Sequence, residues 1–259
     1  MKEFDIISIG AGSGGIATMN RAGEHGARAA VIEEKQLGGT CVNRGCVPKK
    51  IMWYGAQIAE AIRDYGPDYG FTSEQTEFDF ATLRKNREAY IDRTRNSYDG
   101  SFKRNSVEYI QGRARFVDPH TVEVNGETIK AKHIVIATGA HAYIPDLVGA
   151  ELGETSDDVF AWEELPTSVA IIGAGYIAVE LAGVLHHLGV QTDLFIRKDR
   201  VLRSFDSYIT DGLMEEMEKQ NLPLHKHKVP MKLEKLTDGR VKVYFEDMTS
   251  HVAEHVIWA

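Results

Sequence analysis

Cysteine is nearly absent: 259 residues contain two, Cys41 and Cys46. That scarcity excludes a fold held together by disulfides. It also argues against structural zinc, which needs four ligands, because no second Cys or His pair stands at matching spacing. Long apolar runs are absent too. Ile134-Val135-Ile136-Ala137 and Val169-Ala170-Ile171-Ile172 are strand-sized, far too short to span a bilayer. Positive charge is in deficit, with 30 Lys and Arg against 38 Asp and Glu and a net charge of −8; this argues against nucleic acid as the main partner. No low-complexity segment interrupts the chain. No secretory leader is expected, since Met1-Lys2-Glu3 runs straight into the apolar Phe4-Asp5-Ile6-Ile7-Ser8-Ile9. The expectation is a cytoplasmic protein with no membrane and no metal.

At 43% hydrophobic and 26% charged residues, the composition is that of an ordinary globular protein. The length suffices for two domains.

The two cysteines lie five positions apart in Gly38-Gly39-Thr40-Cys41-Val42-Asn43-Arg44-Gly45-Cys46-Val47-Pro48-Lys49-Lys50. On one regular helix such residues point roughly 140° apart, so bringing them together requires a loop or a distorted helical turn. Gly38, Gly39, Gly45 and Pro48 supply that freedom. Inert buried thiols are the plain alternative; a redox-active dithiol in a reducing compartment accounts better for the placement.

One pattern occurs twice. Phe4 to Ile9 reads as a buried strand leading into Gly10-Ala11-Gly12-Ser13-Gly14-Gly15, a helix to about Gly26, and a second strand ending at Glu33. Ser168 to Ile172 leads into Gly173-Ala174-Gly175-Tyr176-Ile177-Ala178, a helix to about Leu188, and a strand ending before Arg197. In such a unit the first glycine makes the tight turn and the second admits a pyrophosphate. The third small residue, Gly15 or Ala178, lets helix and strand pack closely. One such fingerprint is weak; two in the right context indicate two dinucleotides.

Charge distinguishes the two sites. Glu33, 23 residues after Gly10, can accept hydrogen bonds from a ribose diol and suits the unphosphorylated adenosine of FAD. Arg197, 24 residues after Gly173, with Arg203 six further on, suits a 2′-phosphate, and therefore NADPH. Lys198 and Arg200 read as a solvated loop.

Between the copies, Lys49 to about Tyr65 and Phe80 to about Lys103 read as helices. Short strands run from Val107 to Ala137, with a hairpin signal at Asn125-Gly126. Pro145 and Gly149 mark a linker, and Pro223 to Ala259 reads as strands.

Together these segments resemble the flavoprotein disulfide reductases, the class I pyridine nucleotide-disulfide oxidoreductases, and most densely their glutathione-reductase branch. Gly38 to Lys50, Thr138-Gly139, Gly173 to Gly183, Ile196-Arg197 and Leu202 to Asp206 carry the resemblance, which covers essentially the whole chain. It implies an α/β fold of two Rossmann-like dinucleotide-binding domains with three-layer ββα architecture. The FAD-binding domain would cover residues 1–142 and the NADPH-binding domain 143–259. The family's C-terminal dimerisation domain would lie outside this sequence.

The resemblance further implies that NADPH reduces a bound FAD, that the flavin opens the Cys41–Cys46 disulfide, and that the freed dithiol reduces glutathione disulfide. The full-length protein would be a homodimer. Carried over by motif, Cys46 faces the flavin as a charge-transfer thiolate and Cys41 attacks the substrate. Lys49 sits near flavin N5, paired with Glu180, and Tyr176 covers the flavin. Gly10, Gly12, Ser13, Gly14, Gly15, Glu33, Gly39, Thr40, Ala114, Thr138 and Gly139 would hold FAD. Gly173, Gly175, Tyr176, Ile177, Ala178, Arg197 and Arg203 would hold NADPH, and Ser13, Arg21 and Tyr98 glutathione. Asn20 replaces an arginine found in some relatives, and Arg44 is unusual for the motif.

Only a thiolate is nucleophilic, so a neighbouring positive charge or a helix N-terminus is expected to depress a cysteine pKa, with Lys49 and Arg44 as the candidates. The family's His-Glu general acid is not in this sequence. His120, His133, His186, His187, His225, His227, His251 and His255 read as surface or satisfied histidines. An isolated chain ending at Ala259 is therefore expected to lack appreciable activity. A non-catalytic nucleotide-binding fragment, and a related reductase acting on another disulfide, remain open.

Overall fold

The computed structural model describes residues 2–71 and 77–259. Its contacts divide the chain into two units, Met1–Pro48 with Asn86–His141, and Lys49–Lys85 with Ala142–Ala259. Met1, part of the reading of a leaderless start, lies outside the described residues. The division differs from the expected one after residue 142, because residues 49–85 belong with the later unit. Met52, Ala56 and Phe80 are buried there among Leu181, Leu185 and Leu188.

The first unit contains β1 (Lys2–Ile9), α1 (Ser13–Glu24), β2 (Ala29–Glu33) and α2 (Gly39–Arg44). Next come α3 (Cys46–Glu60) and α4 (Phe80–Arg104), which each run across the division. Then β3 (Val107–Gln111), β4 (Arg115–Asp118), β5 (Thr121–Val124) and β6 (Glu127–Ile136) complete it. They form one sheet in the order β3-β2-β1-β6-β5-β4. β3, β2, β1 and β6 are parallel neighbours, while β4 and β5 extend β6 antiparallel. The β5–β6 hairpin turns at Asn125 (φ 52°) and Gly126 (φ 81°), the left-handed pair that Asn-Gly favours.

Side-chain alternation along the strands builds two cores. Ala29 and Val31 pack with Ile16 and Met19 of α1 and Phe102 of α4. Phe4, Ala30 and Ile32 pack with Val122, Val124, Ile129 and Ala131 on the other face.

The second unit adds β7 (Glu154–Thr155), α5 (Ser156–Val159), β8 (Ser168–Ile172), α6 (Tyr176–His187), β9 (Gln191–Phe195), α7 (Ser207–Lys219) and β10 (Leu224–His225). β11 (Pro230–Lys235), β12 (Val241–Phe245), β13 (Ser250–Ala253) and β14 (His255–Trp258) follow. A five-stranded parallel sheet runs β10-β9-β8-β14-β7, and β11-β12-β13 form a separate antiparallel sheet. Val169, Ile171, Leu194 and Ile257 pack on Ala178, Leu181 and Leu185 of α6. Ala170, Ile172, Phe195, Val256 and Trp258 pack on Leu233, Val241, Val243 and Phe245 of the small sheet. The second unit is thus sheet, sheet, helix, the expected layering. Truncating the fully buried Ile171 or Leu185 to alanine would cost about 2–5 kcal/mol.

Two helix bounds differ from expectation. α3 starts at Cys46, three residues before Lys49. Its first turn accommodates Pro48 because first-turn N–H groups have no intrahelical partner to lose. Its continuation, Ala61–Tyr65, is a π-helix closed by the Gly66 N–H donating to the Ala61 carbonyl (2.8 Å). Pro67 offers no N–H to carry the ladder further.

Candidate dinucleotide and dithiol sites

β1 hands over to α1 through Gly10, whose φ of 105° is left-handed. A Cβ there would lie 2.2 Å from the Ala137 carbonyl oxygen. A Cβ on Gly15 would lie 1.9 Å from the Gly10 carbonyl oxygen, so α1 can seat on the strand end only with glycine at that position. The Gly10 carbonyl also accepts from the buried Ser8 hydroxyl (3.0 Å), a contact without an obvious sequence signal. Gly12 stands at the N-cap without a side-chain cap, and Ser13 and Gly14 are exposed. The first turn of α1 can thus receive an anion.

Glu33 is already engaged with the chain. Its Oε2 accepts from the Ala11 N–H (2.7 Å) and its Oε1 from the Lys35 N–H (2.8 Å). Each carboxylate oxygen retains acceptor capacity, so the side chain can still accept from a ligand hydroxyl. Thr40, Thr138 and Gly139 are exposed, and Ala114 packs against the Phe4–Ile32 core.

The cysteine segment folds against this turn. Gly38 (φ 102°) donates its N–H to the Ala11 carbonyl (2.9 Å). A Cβ on Gly39 (φ 61°) would lie 2.6 Å from the Gly12 Cα. Cys41 lies in α2 and Cys46 opens α3, with Gly45 between the helices. This break brings the thiols together, as the spacing argument required. They are unbridged, Cys41 half-buried and Cys46 exposed.

Burial, followed by the hydrogen bond and charge of Cys46, pushes the Cys41 thiol up from 9.0 to about 11. This corrects the expectation of a cation-depressed pKa for that residue. The dominant influences on Cys41 are desolvation and its partner sulfur, and Lys49 is committed elsewhere. The Tyr98 hydroxyl is also raised, first by burial and then by the charge of Cys41, so Tyr98 shares the Cys41 environment.

Two further side chains of α1 are engaged. Arg21 pairs with Glu24 at 2.7 Å on the surface. Asn20 donates to the Ile16 carbonyl (3.1 Å) and accepts from Ser101 and Asn105 (both 2.8 Å), tying α1 to α4.

In the second unit, Gly173 plays the part of Gly10. A Cβ on it would lie 1.6 Å from the Ala259 carbonyl oxygen and 3.3 Å from the Ala178 Cβ. Gly175 is an uncapped N-cap, Ile177 packs against the α6 core, and Tyr176 is 64% exposed. Leu202 folds back so that its N–H donates to the Ala174 carbonyl (2.8 Å), holding the Arg203 loop to the glycine turn. Arg197 and Arg203 are exposed and have no ion-pair partner among the described residues. Arg200, in contrast, is held by Asp211 (2.8 Å). Lys49 Nζ lies 2.6 Å from Glu180 Oε1, joining α3 to α6.

Among the described residues six histidines are engaged, one of them His251, whose Nε2 faces Asp193 at 3.6 Å. His225 pairs with Asp193 (2.6 Å), His255 with Glu154 (2.7 Å), His186 with the Gln220 carbonyl (2.9 Å), His187 with the Gln220 side chain (3.1 Å) and His120 with the Ala131 carbonyl (3.3 Å). Among the described residues, Glu60, Asp64 and His187 form a cluster of metal-ligand type. The Arg63 guanidinium already fills it, donating to Asp64 (2.7 Å) and facing His187 Nδ1 (3.2 Å). No helix among the described residues is long and apolar enough to cross a membrane.

Residues 4–259 match the family described as pyridine nucleotide-disulphide oxidoreductase. The chain belongs to that family. It is 41% identical over 268 aligned positions to the glutathione reductase of Schizosaccharomyces pombe, an alignment covering all of this chain and 58% of the relative.

Proposed function

We propose that this chain carries the FAD- and NADPH-binding portions of a glutathione-disulfide reductase, with Cys41 and Cys46 as its redox pair. The observation that carries the reading is the contact of the dithiol segment with the first nucleotide turn, Gly39 against Gly12. The residues fit a dinucleotide: the uncapped turn of α1 suits a pyrophosphate, Glu33 a ribose diol, and Gly12, with no Cβ, lets the backbone approach the ligand. Thr40, Thr138 and Gly139 flank that site. A bound flavin would supply hydride acceptance from reduced nicotinamide and two-electron delivery to a disulfide.

The chain's own residues do the rest. Arg197 and Arg203 favour a 2′-phosphate and hence NADPH. Lys49 is held by Glu180, and the exposed Tyr176 at the start of α6 guards the second turn. Cys46 takes the thiolate role, and Cys41 attacks the substrate disulfide once deprotonated, its proton ending on the leaving glutathione thiolate. Tyr98 stands beside Cys41 on the substrate side. Glutathione disulfide as substrate, a homodimeric full-length form and a cytoplasmic location complete the reading.

The test is the visible spectrum of the chain after incubation with FAD. A retained yellow flavin that gains a long-wavelength charge-transfer band on two-electron reduction supports it, with the band lost in Cys46→Ser and kept in Cys41→Ser. Retained flavin with identical spectra in both variants would sink the division of roles.

A further inference from the structure

Asn43 lies between the two cysteines, and its side chain is anchored at one end only. The amide nitrogen donates to two carbonyls, Leu37 (3.0 Å) and Gly39 (2.9 Å). Its Oδ1 is buried and has no hydrogen-bond partner. Reversing the amide would set its oxygen against two carbonyl oxygens, so the donor contacts fix its orientation. A buried acceptor without a partner is unfavourable, so the two donor contacts are what hold the side chain in place.

Those two carbonyls flank the left-handed pair Gly38 (φ 102°) and Gly39 (φ 61°). One residue of this pair bonds to Ala11, and the other lies against Gly12. Asn43 therefore spans the turn from inside α2, the helix that carries Cys41. Without the clasp, the first turn of α2 would be free to unwind at two adjacent glycines, the residues that resist unwinding least. Cys41 would then no longer be held where it meets Cys46.

We propose that Asn43 is the positioning residue of the dithiol: its amide clasps the Leu37–Gly39 turn and so keeps Cys41 against Cys46. This rests on the reading of the two cysteines as a redox pair. The reaction it governs is balanced: two protein thiols and one glutathione disulfide give one Cys41–Cys46 disulfide and two glutathione thiols. Positioning acts on that equilibrium by raising the effective concentration of one thiol at the other.

The experiment equilibrates the chain with glutathione and glutathione disulfide mixtures and measures the Cys41–Cys46 disulfide by thiol labelling. Asn43→Ala is expected to lower the equilibrium constant for disulfide formation about tenfold, a potential about 30 mV more oxidising. Asn43→Ser keeps one short donor able to reach the carbonyl four residues back and should fall between wild type and Asn43→Ala. Val42→Ala removes buried bulk from the same helix but leaves both amide bonds, and should stay within about twofold of wild type. If Asn43→Ala fails to fold by circular dichroism, Asn43→Ser against Val42→Ala decides. An unchanged equilibrium in the Asn43 variants, or an equal fall in Val42→Ala, overturns the inference while leaving the dithiol intact. A wild-type chain that never forms the Cys41–Cys46 disulfide overturns the redox reading, and this inference with it.

Discussion

The elevated Cys41 pKa has a direct kinetic consequence. Moving a thiol from 9.0 to about 11 lowers its thiolate fraction at pH 8 about a hundredfold. Nucleophilicity per thiolate rises by a factor of about 10 to the 0.4–0.5 for each unit of thiol pKa, which returns a factor of about six to ten. The net expectation is alkylation of Cys41 roughly tenfold slower than that of an unperturbed thiol. Iodoacetamide labelling of the flavin-free chain at pH 8, read by peptide mass spectrometry over time, would measure it against the same peptide in the urea-unfolded chain. The exposed Cys46 should label first, and the Cys41 rate should keep climbing above pH 9. Cys46→Ala removes the hydrogen bond and the charge while leaving burial, the larger cause, so it should accelerate Cys41 only in part. Cys41 labelling first, or reacting as fast as in the unfolded chain, would refute the assignment of burial and Cys46 as the controlling influences.

Replacing both Arg197 and Arg203 with alanine should weaken NADPH binding, each charge-assisted bond being worth about 1.5–3 kcal/mol, and leave NADH nearly unchanged; equal losses by calorimetry would contradict the 2′-phosphate role. Gly15→Ala sets a Cβ 1.9 Å from the Gly10 carbonyl oxygen and should cost about 3 kcal/mol or more, so a denaturation midpoint near wild type would disprove the close approach. His186 and His251 have pKa values lowered by burial; their contribution is present above the ordinary value of 6.5 and lost as pH falls through their folded values. His255, raised chiefly by its bond to Glu154, contributes fully below 6.5 and loses that contribution as pH rises through its folded value. Urea melts between pH 5 and 8 should therefore show an acid limb that His251→Gln flattens and a neutral-side limb that His255→Gln flattens, and unaltered profiles in both variants would reject these origins.

What was legible in the sequence was local. The glycines of both turns could be read because each answers a backbone requirement that only a missing Cβ meets, as at Gly10, Gly15 and Gly173. The Asn125-Gly126 hairpin was readable for the same reason. What escaped depends on contacts distant in sequence. Residues 49–85 join the later unit through Met52, Ala56 and Phe80, and nothing in their own periodicity names α6 as the partner. The direction of the Cys41 shift was misread because neighbouring cations are visible in a sequence and desolvation is not. The partners of the Asn20 oxygen, Ser101 and Asn105, lie some eighty positions away and leave no mark in its own segment.

The internal repeat reaches further than its two fingerprints, and its extent locates where the units diverged. In the first unit β1 lies between β2 and β6; in the second β8 lies between β9 and β14. Gly10 closes on the carbonyl of Ala137, just beyond β6, and Gly173 on that of Ala259, just beyond β14. In both, a parallel edge strand, β3 or β10, flanks the second strand, and antiparallel strands precede the returning one. The shared plan extends through the return strand, so the glycine turn and its carbonyl neighbour form one conserved geometric device used twice. The differences sit after the second strand of each copy. There the first has Glu33 followed by α2, α3 and α4 with the dithiol, and the second has Arg197, Arg203 and α7. The scaffold supplies an open helix N-terminus in either case, and the segment that follows the second strand carries a pair of thiols in one copy and a pair of guanidinium groups in the other.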